Sequence, residues 1–187
     1  KTQTGTAQPL TSTTGSMVGR EPVWAKGYTG MGIKIAVIDT GLDEDHPNFQ
    51  ALSEDKLTDR SYDETNIEAL MGQLNATGRY NEKAAQNGAP QLTAAQLYRS
   101  NKVIFGFNYA DNNLNITHDF DTMGDHGTHV AGIAAANKVD GSDVQGVAPD
   151  AQLYIMKVYG ADHGGFAEDI LAALEDALLL GADVVNM

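Results

Sequence analysis

The sequence predicts an α/β fold, in which a parallel β-sheet is flanked by helices. Four short apolar runs rich in β-branched or aliphatic residues recur at residues 33–38, 103–107, 153–158 and 183–187. Uninterrupted runs of this kind are typical of strands that are buried on both faces of a sheet. Helical periodicity separates the last two runs. Strands that alternate with helices favour parallel pairing through right-handed crossovers.

Residues 1–22 are predicted to form a flexible N-terminal arm. They are rich in Thr, Gln, Ser and Gly and contain almost no aliphatic side chains. A segment of this composition buries too little apolar surface to offset the entropy that is lost on ordering. Ordered structure is expected from Val23 and Trp24, so residues 23–187 are predicted to form a single α/β unit.

The first predicted strand ends at Asp39, within the sequence AVIDTG at residues 36–41. An acidic residue at the carboxyl end of a buried parallel strand lies where α/β proteins place their functional sites. A buried carboxylate needs a partner, because desolvating an unpaired charge costs several kcal/mol or more. Alternatively, Asp39 only caps the following turn, and this segment alone leaves both interpretations open.

The stretch at about 50–100 is predicted to be a surface insertion. It is polar and carries two short helical patterns, at about 64–75 and 92–99. Its apolar content is too thin for an independent core, and long connections of this kind usually decorate a functional rim.

A histidine-containing octad, DHGTHVAG at residues 125–132, follows the second predicted strand. Its small residues predict a helix start that packs closely on the sheet, with His126 projecting from the first turn. Histidine is the side chain that takes and returns a proton near neutral pH. A lone histidine is more often structural, but two in an octad of such small residues favour a functional role.

Glycine-rich segments bracket the third predicted strand, with GVAP at residues 146–149 and GADHGG at residues 160–165. A glycine-rich loop at the carboxyl end of a strand exposes backbone groups that can pair with an extended peptide. Such loops are equally common as plain connections, so this segment by itself is a weak indication of peptide binding.

A helix is predicted over residues 168–180, because apolar residues at 170, 171, 174, 177 and 178 share one face and Gly181 suits its C-terminal cap. The fourth strand is still in progress at Met187. We therefore expect the sheet to be incomplete in this chain, which would be a fragment or one product of a cleaved precursor.

Taken together, these motifs resemble the subtilisin-like serine peptidases. In that family an aspartate in a V-I-D-T/S-G motif, here residues 37–41, precedes a histidine in H-G-T-H-V-A-G, here residues 126–132. The segments DHP at 45–47, GVAP at 146–149 and ADVVNM at 182–187 also match, so the resemblance covers about 22–49 and 103–187. Within the family, residues 102–111 look most like the cell-envelope peptidases of the lactocepin and C5a-peptidase type.

The resemblance implies catalytic roles for Asp39 and His126. Asp39 would accept a hydrogen bond from one ring nitrogen of His126, and His126 would deprotonate a serine hydroxyl and then protonate the leaving amine. Gly164 and Gly165 would lie on the edge that pairs with the backbone of a polypeptide substrate, and Phe166 would shape a nearby pocket.

The family's serine motif and its oxyanion asparagine are missing from this chain. Loss of a triad member typically costs about 10⁴–10⁶-fold in rate. We therefore expect residues 23–187 to be the N-terminal part of a catalytic domain that is inactive alone. Its expected partner is the complementary C-terminal part, which carries the serine. The runner-up is a non-catalytic fragment or pseudoprotease subunit that acts as a binding or regulatory module.

No cofactor is expected for the chemistry, although calcium is a frequent structural ligand of the family. Asn48 stands where calcium-binding members often have Asp, and Asp140 and Asp143 offer candidate oxygens, so the calcium site is left unassigned. A zinc site that uses His126-x-x-His129 with His118 is a rival, but no glutamate accompanies the pair.

Composition excludes several other classes of function. The chain has 12 Lys and Arg against 25 Asp and Glu, a net charge of −13 that repels phosphate backbones and argues against nucleic-acid binding. No apolar run approaches the ~20 residues that span a bilayer. The glycines at 27, 30 and 32 precede a strand, whereas a nucleotide-binding loop must follow one. The absence of cysteine, the acidity and the resemblance predict a secreted or bacterial surface protein.

Overall fold

A four-stranded parallel sheet organises the part of the chain that the computed structural model describes, residues 11–79, 92–117, 124–142, 144–161 and 164–187. The strands are β1 (Lys34–Asp39), β2 (Val103–Asn108), β3 (Gln152–Lys157) and β4 (Val184–Asn186). Their order across the sheet is β2-β3-β1-β4, and every pairing is parallel. The predicted α/β class is confirmed.

Six helices accompany the sheet within the described ranges. They are α1 (Thr11–Met17), α2 (Arg20–Trp24), α3 (Glu64–Ala76), α4 (Ala94–Leu97), α5 (His126–Ala135) and α6 (Ala167–Leu179), with short 3-10 turns at Pro47–Phe49 and Glu54–Lys56. Among the described residues, none of these helices is long and apolar enough to cross a membrane.

The two faces of the sheet are covered by different helices. Alternate residues of a strand point to opposite faces, so Ala36 and Ile38 of β1 join a core cluster with α3, α4 and α6. Ile35 and Val37 join a second cluster that includes α5. All six residues of each of the three long strands are buried. The sheet is therefore a central layer, and the carboxyl ends of its strands share one edge.

The stretch at about 50–100, predicted to be a surface insertion, contributes α3 to the core, and residues 80–91 lie outside the described residues. Ile67, Met71 and Leu74 of α3 are at most 6% exposed and belong to the core cluster on the α3–α6 face. Their spacing places them on one stripe of the helix, which begins with a capping box at Asp63. A few apolar residues on one stripe are enough to cover part of the sheet.

The segment predicted to be a flexible arm contacts the rest of the chain at Arg20, within its described residues 11–22. Arg20 is buried and donates from Nη1 to the carbonyl of Gln145 at 2.6 Å, and its guanidinium lies 4.6 Å from the ring centre of Trp24. The indole Nε1 of Trp24 donates to the carbonyl of Val147 at 2.8 Å. One arginine and one tryptophan thus anchor a segment that has almost no aliphatic residues.

Candidate active site

Asp39 is the last residue of β1 and lies at the carboxyl edge of the sheet. It is 8% exposed, and its backbone carbonyl accepts the N–H of Val158 at 2.9 Å. The N–H of Thr40 donates to its Oδ1 atom at 2.7 Å. The carboxylate therefore has a fixed direction at a position where the strands end, as the sequence predicted.

His126 is the first residue of α5, and its ring reaches the Asp39 carboxylate. Its Nδ1 atom lies 2.8 Å from Oδ1 and 3.0 Å from Oδ2 of Asp39, although the two residues are 87 positions apart in sequence. Of the two interpretations left open for Asp39, the structure thus supports a paired carboxylate rather than a turn cap alone.

The pairing raises the pKa of His126. The hydrogen bond to the Asp39 carboxylate is the largest cause, followed by charge attraction to the same carboxylate, and the neighbouring Asp125 makes a smaller contribution in the same direction. Partial desolvation of the ring opposes this shift. The side chain of His126 is 66% exposed, so the neighbouring carboxylate and not burial sets its protonation.

A close backbone approach makes this geometry possible. A Cβ atom added to Gly127 would lie 2.3 Å from the carbonyl oxygen of Gly41 and 2.8 Å from its nitrogen. Gly41 itself has φ 110°, which L side chains rarely adopt. Helix α5 can therefore begin directly against the turn that follows β1, as the small residues of the octad predicted.

The pair has the chemistry of a general base. A carboxylate only accepts hydrogen bonds, so the proton of the neutral imidazole is on Nδ1 and the lone pair is on Nε2. Nε2 makes no hydrogen bond to the described residues. A cleft of about 400 Å³ opens beside it, lined by Ile38, Asp39, Thr40, His126, Val158, Tyr159, Ile170 and Met187.

Of the three residues predicted to contact substrate, Gly165 packs against residues that line this cleft, and residues 162–163 of the same loop are outside the described part. A Cβ on Gly165 would lie 3.1 Å from the carbonyl oxygen of Val158 and 3.4 Å from the ring of Tyr159, and both of those residues line the cleft. A Cβ on Gly164 would meet none of the described residues within 4 Å. Phe166 is 52% exposed at the N-cap of α6 and does not line the cleft.

The candidate calcium loop carries a hydrogen-bond donor where a cation would need oxygen ligands. The amide Nδ2 of Asn48 donates to the carbonyls of Asn137 and Val144, at 2.6 and 3.3 Å. Asp140 is exposed, and Asp143 lies outside the described residues. In this arrangement the described part of the loop does not fit a calcium ion, because two of its carbonyls already face N–H groups.

The rival zinc site is only partly described, because His118 lies outside the described residues. His129 is exposed and lines a separate cavity of about 370 Å³ with His46 and Phe49. Within the described ranges, no group of three or more His, Asp or Glu could hold a metal ion.

One buried lysine beside the site was not predicted from the sequence. Lys157 is 2% exposed, pairs with Asp39 in the β1–β3 register and donates from Nζ to the carbonyl of Thr40 at 2.6 Å. The available signal was a single lysine in the otherwise apolar run LYIMKV at residues 153–158. Burying a lysine at the end of a central strand lowers stability unless its Nζ atom forms hydrogen bonds there.

The sequence of the chain is similar to those of known proteases. The chain is 37% identical over 190 residues to the PI-type proteinase of Lactococcus lactis subsp. cremoris, covering 96% of this chain and 9% of that protein. It is 31% identical over 170 residues to the minor extracellular protease Vpr of Bacillus subtilis, covering 91% of this chain and 15% of that protein. The chain thus spans less than a fifth of either relative.

The PI-type match supports the lactocepin-type resemblance that residues 102–111 predicted. A sequence model of the subtilase family matches residues 30–187, a range that contains both Asp39 and His126. The chain therefore belongs to the subtilase family.

Proposed function

We propose that this chain supplies the aspartate and the histidine of an Asp-His-Ser triad that hydrolyses peptide bonds within polypeptides. The observation that carries the proposal is the 2.8 Å contact between Nδ1 of His126 and Oδ1 of Asp39 at the carboxyl edge of the sheet. The serine and the oxyanion asparagine come from a complementary segment of the same domain, either further along the chain or on a partner chain. Without that segment the chain is inactive.

In the proposed reaction, Nε2 of His126 takes the proton of the serine hydroxyl as the serine oxygen attacks the substrate carbonyl. The resulting imidazolium is stabilised by the Asp39 carboxylate through the Nδ1–H bond. The same proton then passes from Nε2 to the departing amine, which leaves an acyl-enzyme. Water enters, gives its proton to Nε2 and releases the acid, after which the serine recovers its proton.

The substrate would bind as an extended polypeptide beside the α6 end of the cleft. Gly164 and Gly165 would lie along the substrate backbone there. The room beside Gly164, where a Cβ would meet none of the described residues within 4 Å, suits pairing by strand addition. Phe166, half-exposed at the start of α6, would provide apolar contact to a substrate side chain. No cofactor takes part in this chemistry.

The complementary segment would dock beside β4. Val184 and Val185 of β4 are 50% and 36% exposed, and within the described residues β4 pairs only with β1. An uncovered edge strand with apolar side chains needs a covering element. The acidic surface, the absence of cysteine and the extracellular relative support secretion or attachment to a bacterial surface.

Substitution of His126 by alanine in the protein that contains the serine tests the proposal. We expect turnover of an unfolded polypeptide to fall by about 10⁴-fold or more, while assembly with the complementary segment is retained. His129→Ala is the matched control, because His129 lies three positions further along the same helix and does not reach Asp39. Turnover that survives His126→Ala would overturn the triad assignment.

A further inference from the structure

Helix α5, which carries His126, begins without a cap from its own sequence. Asp125 occupies the N-cap position, but its side chain makes no capping hydrogen bond. The first N–H groups of a helix have no partner inside the helix and need one from elsewhere. Because the N–H of Gly127 is buried, an external acceptor is required there.

Thr40, on the turn after β1, provides that acceptor. Its side-chain Oγ1 accepts the N–H of Gly127 at 2.8 Å and donates its own proton to the carbonyl of Gly124 at 3.2 Å. These two peptide groups lie before and after His126 in sequence. One buried hydroxyl therefore holds the backbone on both sides of the histidine.

The same residue holds the carboxylate. The N–H of Thr40 donates to Oδ1 of Asp39 at 2.7 Å, and its carbonyl accepts from Nζ of the buried Lys157 at 2.6 Å. The ring of His126, by contrast, is 66% exposed, so side-chain packing does little to orient it. The position of His126 relative to Asp39 therefore depends on the backbone, which Thr40 fixes from the side of the strand.

We propose that Thr40 is the positioning residue of the Asp39–His126 pair and that its hydroxyl sets the distance and direction between the two side chains. Thr40 acts through the pair, holding the first turn of α5 against the end of β1. The inference rests on the proposed peptidase function, but its main readout, the titration of His126, does not require turnover.

The experiment compares Thr40→Val, which keeps the shape and removes the hydroxyl, with Thr40→Ser, which keeps the hydroxyl. In the protein that contains the serine, we expect Thr40→Val to lower kcat about 10- to 100-fold with little change in KM. We also expect it to move the pKa of His126, followed by NMR of its ring C–H, back towards the ordinary histidine value. Thr40→Ser is expected to keep the pKa of His126 and the kcat of the unsubstituted protein, the latter within about threefold.

Thr128→Val is the matched comparison on the same helix. The Oγ1 atom of Thr128 accepts the N–H of Asp43 at 2.9 Å. This bond also joins α5 to the segment after β1, but it does not hold the backbone on both sides of His126. We expect this variant to lose stability and to leave the pKa of His126 in place. A shift in that pKa as large as that of Thr40→Val would overturn a specific role for Thr40.

Two further outcomes decide the inference. An unchanged pKa of His126 together with an unchanged kcat in Thr40→Val would overturn it. If Thr40→Val does not fold, hydrogen exchange of the Gly127 amide is measured in the unsubstituted protein instead. Slow exchange supports the hydrogen bond from this amide to Thr40, and exchange as fast as in an unfolded peptide refutes it. Turnover retained in His126→Ala would instead remove the proposed function itself.

Discussion

The substitution Gly127→Ala tests how closely helix α5 must approach the turn after β1. The new Cβ would lie 2.3 Å from the carbonyl oxygen of Gly41, whereas ordinary contacts begin near 3.4 Å. The obstacle is backbone, which has no rotamer to change, so α5 must retreat by about 1 Å and carry His126 with it. A misplacement of about 1 Å costs on the order of 100-fold in turnover.

Two opposing effects set the stability of Gly127→Ala. Overpacking against a fixed neighbour costs about 1–3 kcal/mol, and replacing a helical glycine by alanine returns up to about 1 kcal/mol. Because the contact is with backbone, we expect overpacking to win, with a net loss of about 1–2 kcal/mol. Urea unfolding measures this loss, and the kcat of the protein that contains the serine measures the displacement.

Gly132→Ala is the matched control for this prediction. Gly132 lies five positions further along the same helix, and among the described residues a Cβ there would meet only the ring of Phe49, at 4.0 Å. We expect unchanged turnover and a gain of up to about 1 kcal/mol. The reasoning is wrong if Gly127→Ala keeps full turnover and stability, or if Gly132→Ala is equally damaging.

Two other predictions concern stability. Asn48→Asp would turn a carboxylate towards the carbonyls of Asn137 and Val144, so we expect the free energy of unfolding to fall by about 1–3 kcal/mol when a chelator is present. Millimolar calcium should restore part of this loss. Equal melting temperatures of the variant and the unsubstituted protein in chelator, measured by calorimetry, would contradict this prediction. Burial lowers the pKa of Lys102 to about 7, so the unfolded chain binds more protons between pH 7 and about 10.5 and stability should rise with pH across that window. Lys102→Met should flatten that rise, which urea unfolding at pH 7 and 9 measures. The variant also removes the donor to the carbonyls of Pro149 and Ala151 and so lowers stability at both pH values. An unaltered dependence of stability on pH would show that Lys102 stays charged in the folded protein.

The central strands could be predicted because they depend on local pattern, whereas the contact between Asp39 and His126 was implied by the resemblance to the subtilisin-like peptidases. Apolar runs locate strands, and long motifs that end at a strand or begin a helix locate the polar residues at the sheet edge. The contacts of residues 11–22 and of α3 in the stretch at about 50–100 lie outside such patterns, because their partners are distant in sequence. Arg20 reaches a carbonyl 125 positions away, and no local composition reports such a partner.

The buried lysines were missed for a related reason. Lys102 and Lys157 read as ordinary charged residues beside apolar runs, yet each is at most 2% exposed and donates to backbone carbonyls of distant segments. The role of Thr40 was hidden in the same way, because a threonine after the aspartate looks like part of a turn. Only the three-dimensional structure brings Gly124 and Gly127 to its hydroxyl.

The order of the strands has a consequence for synthesis. β1 comes first along the chain but lies between β3 and β4, whose pairing residues follow it by more than 100 positions. At about 5–20 residues per second, a ribosome exposes β1 for on the order of ten seconds before its first neighbour exists. Parallel pairings at such separations also form slowly. The sheet edge on which Asp39 lies is therefore completed only after β3 and β4 have been synthesised.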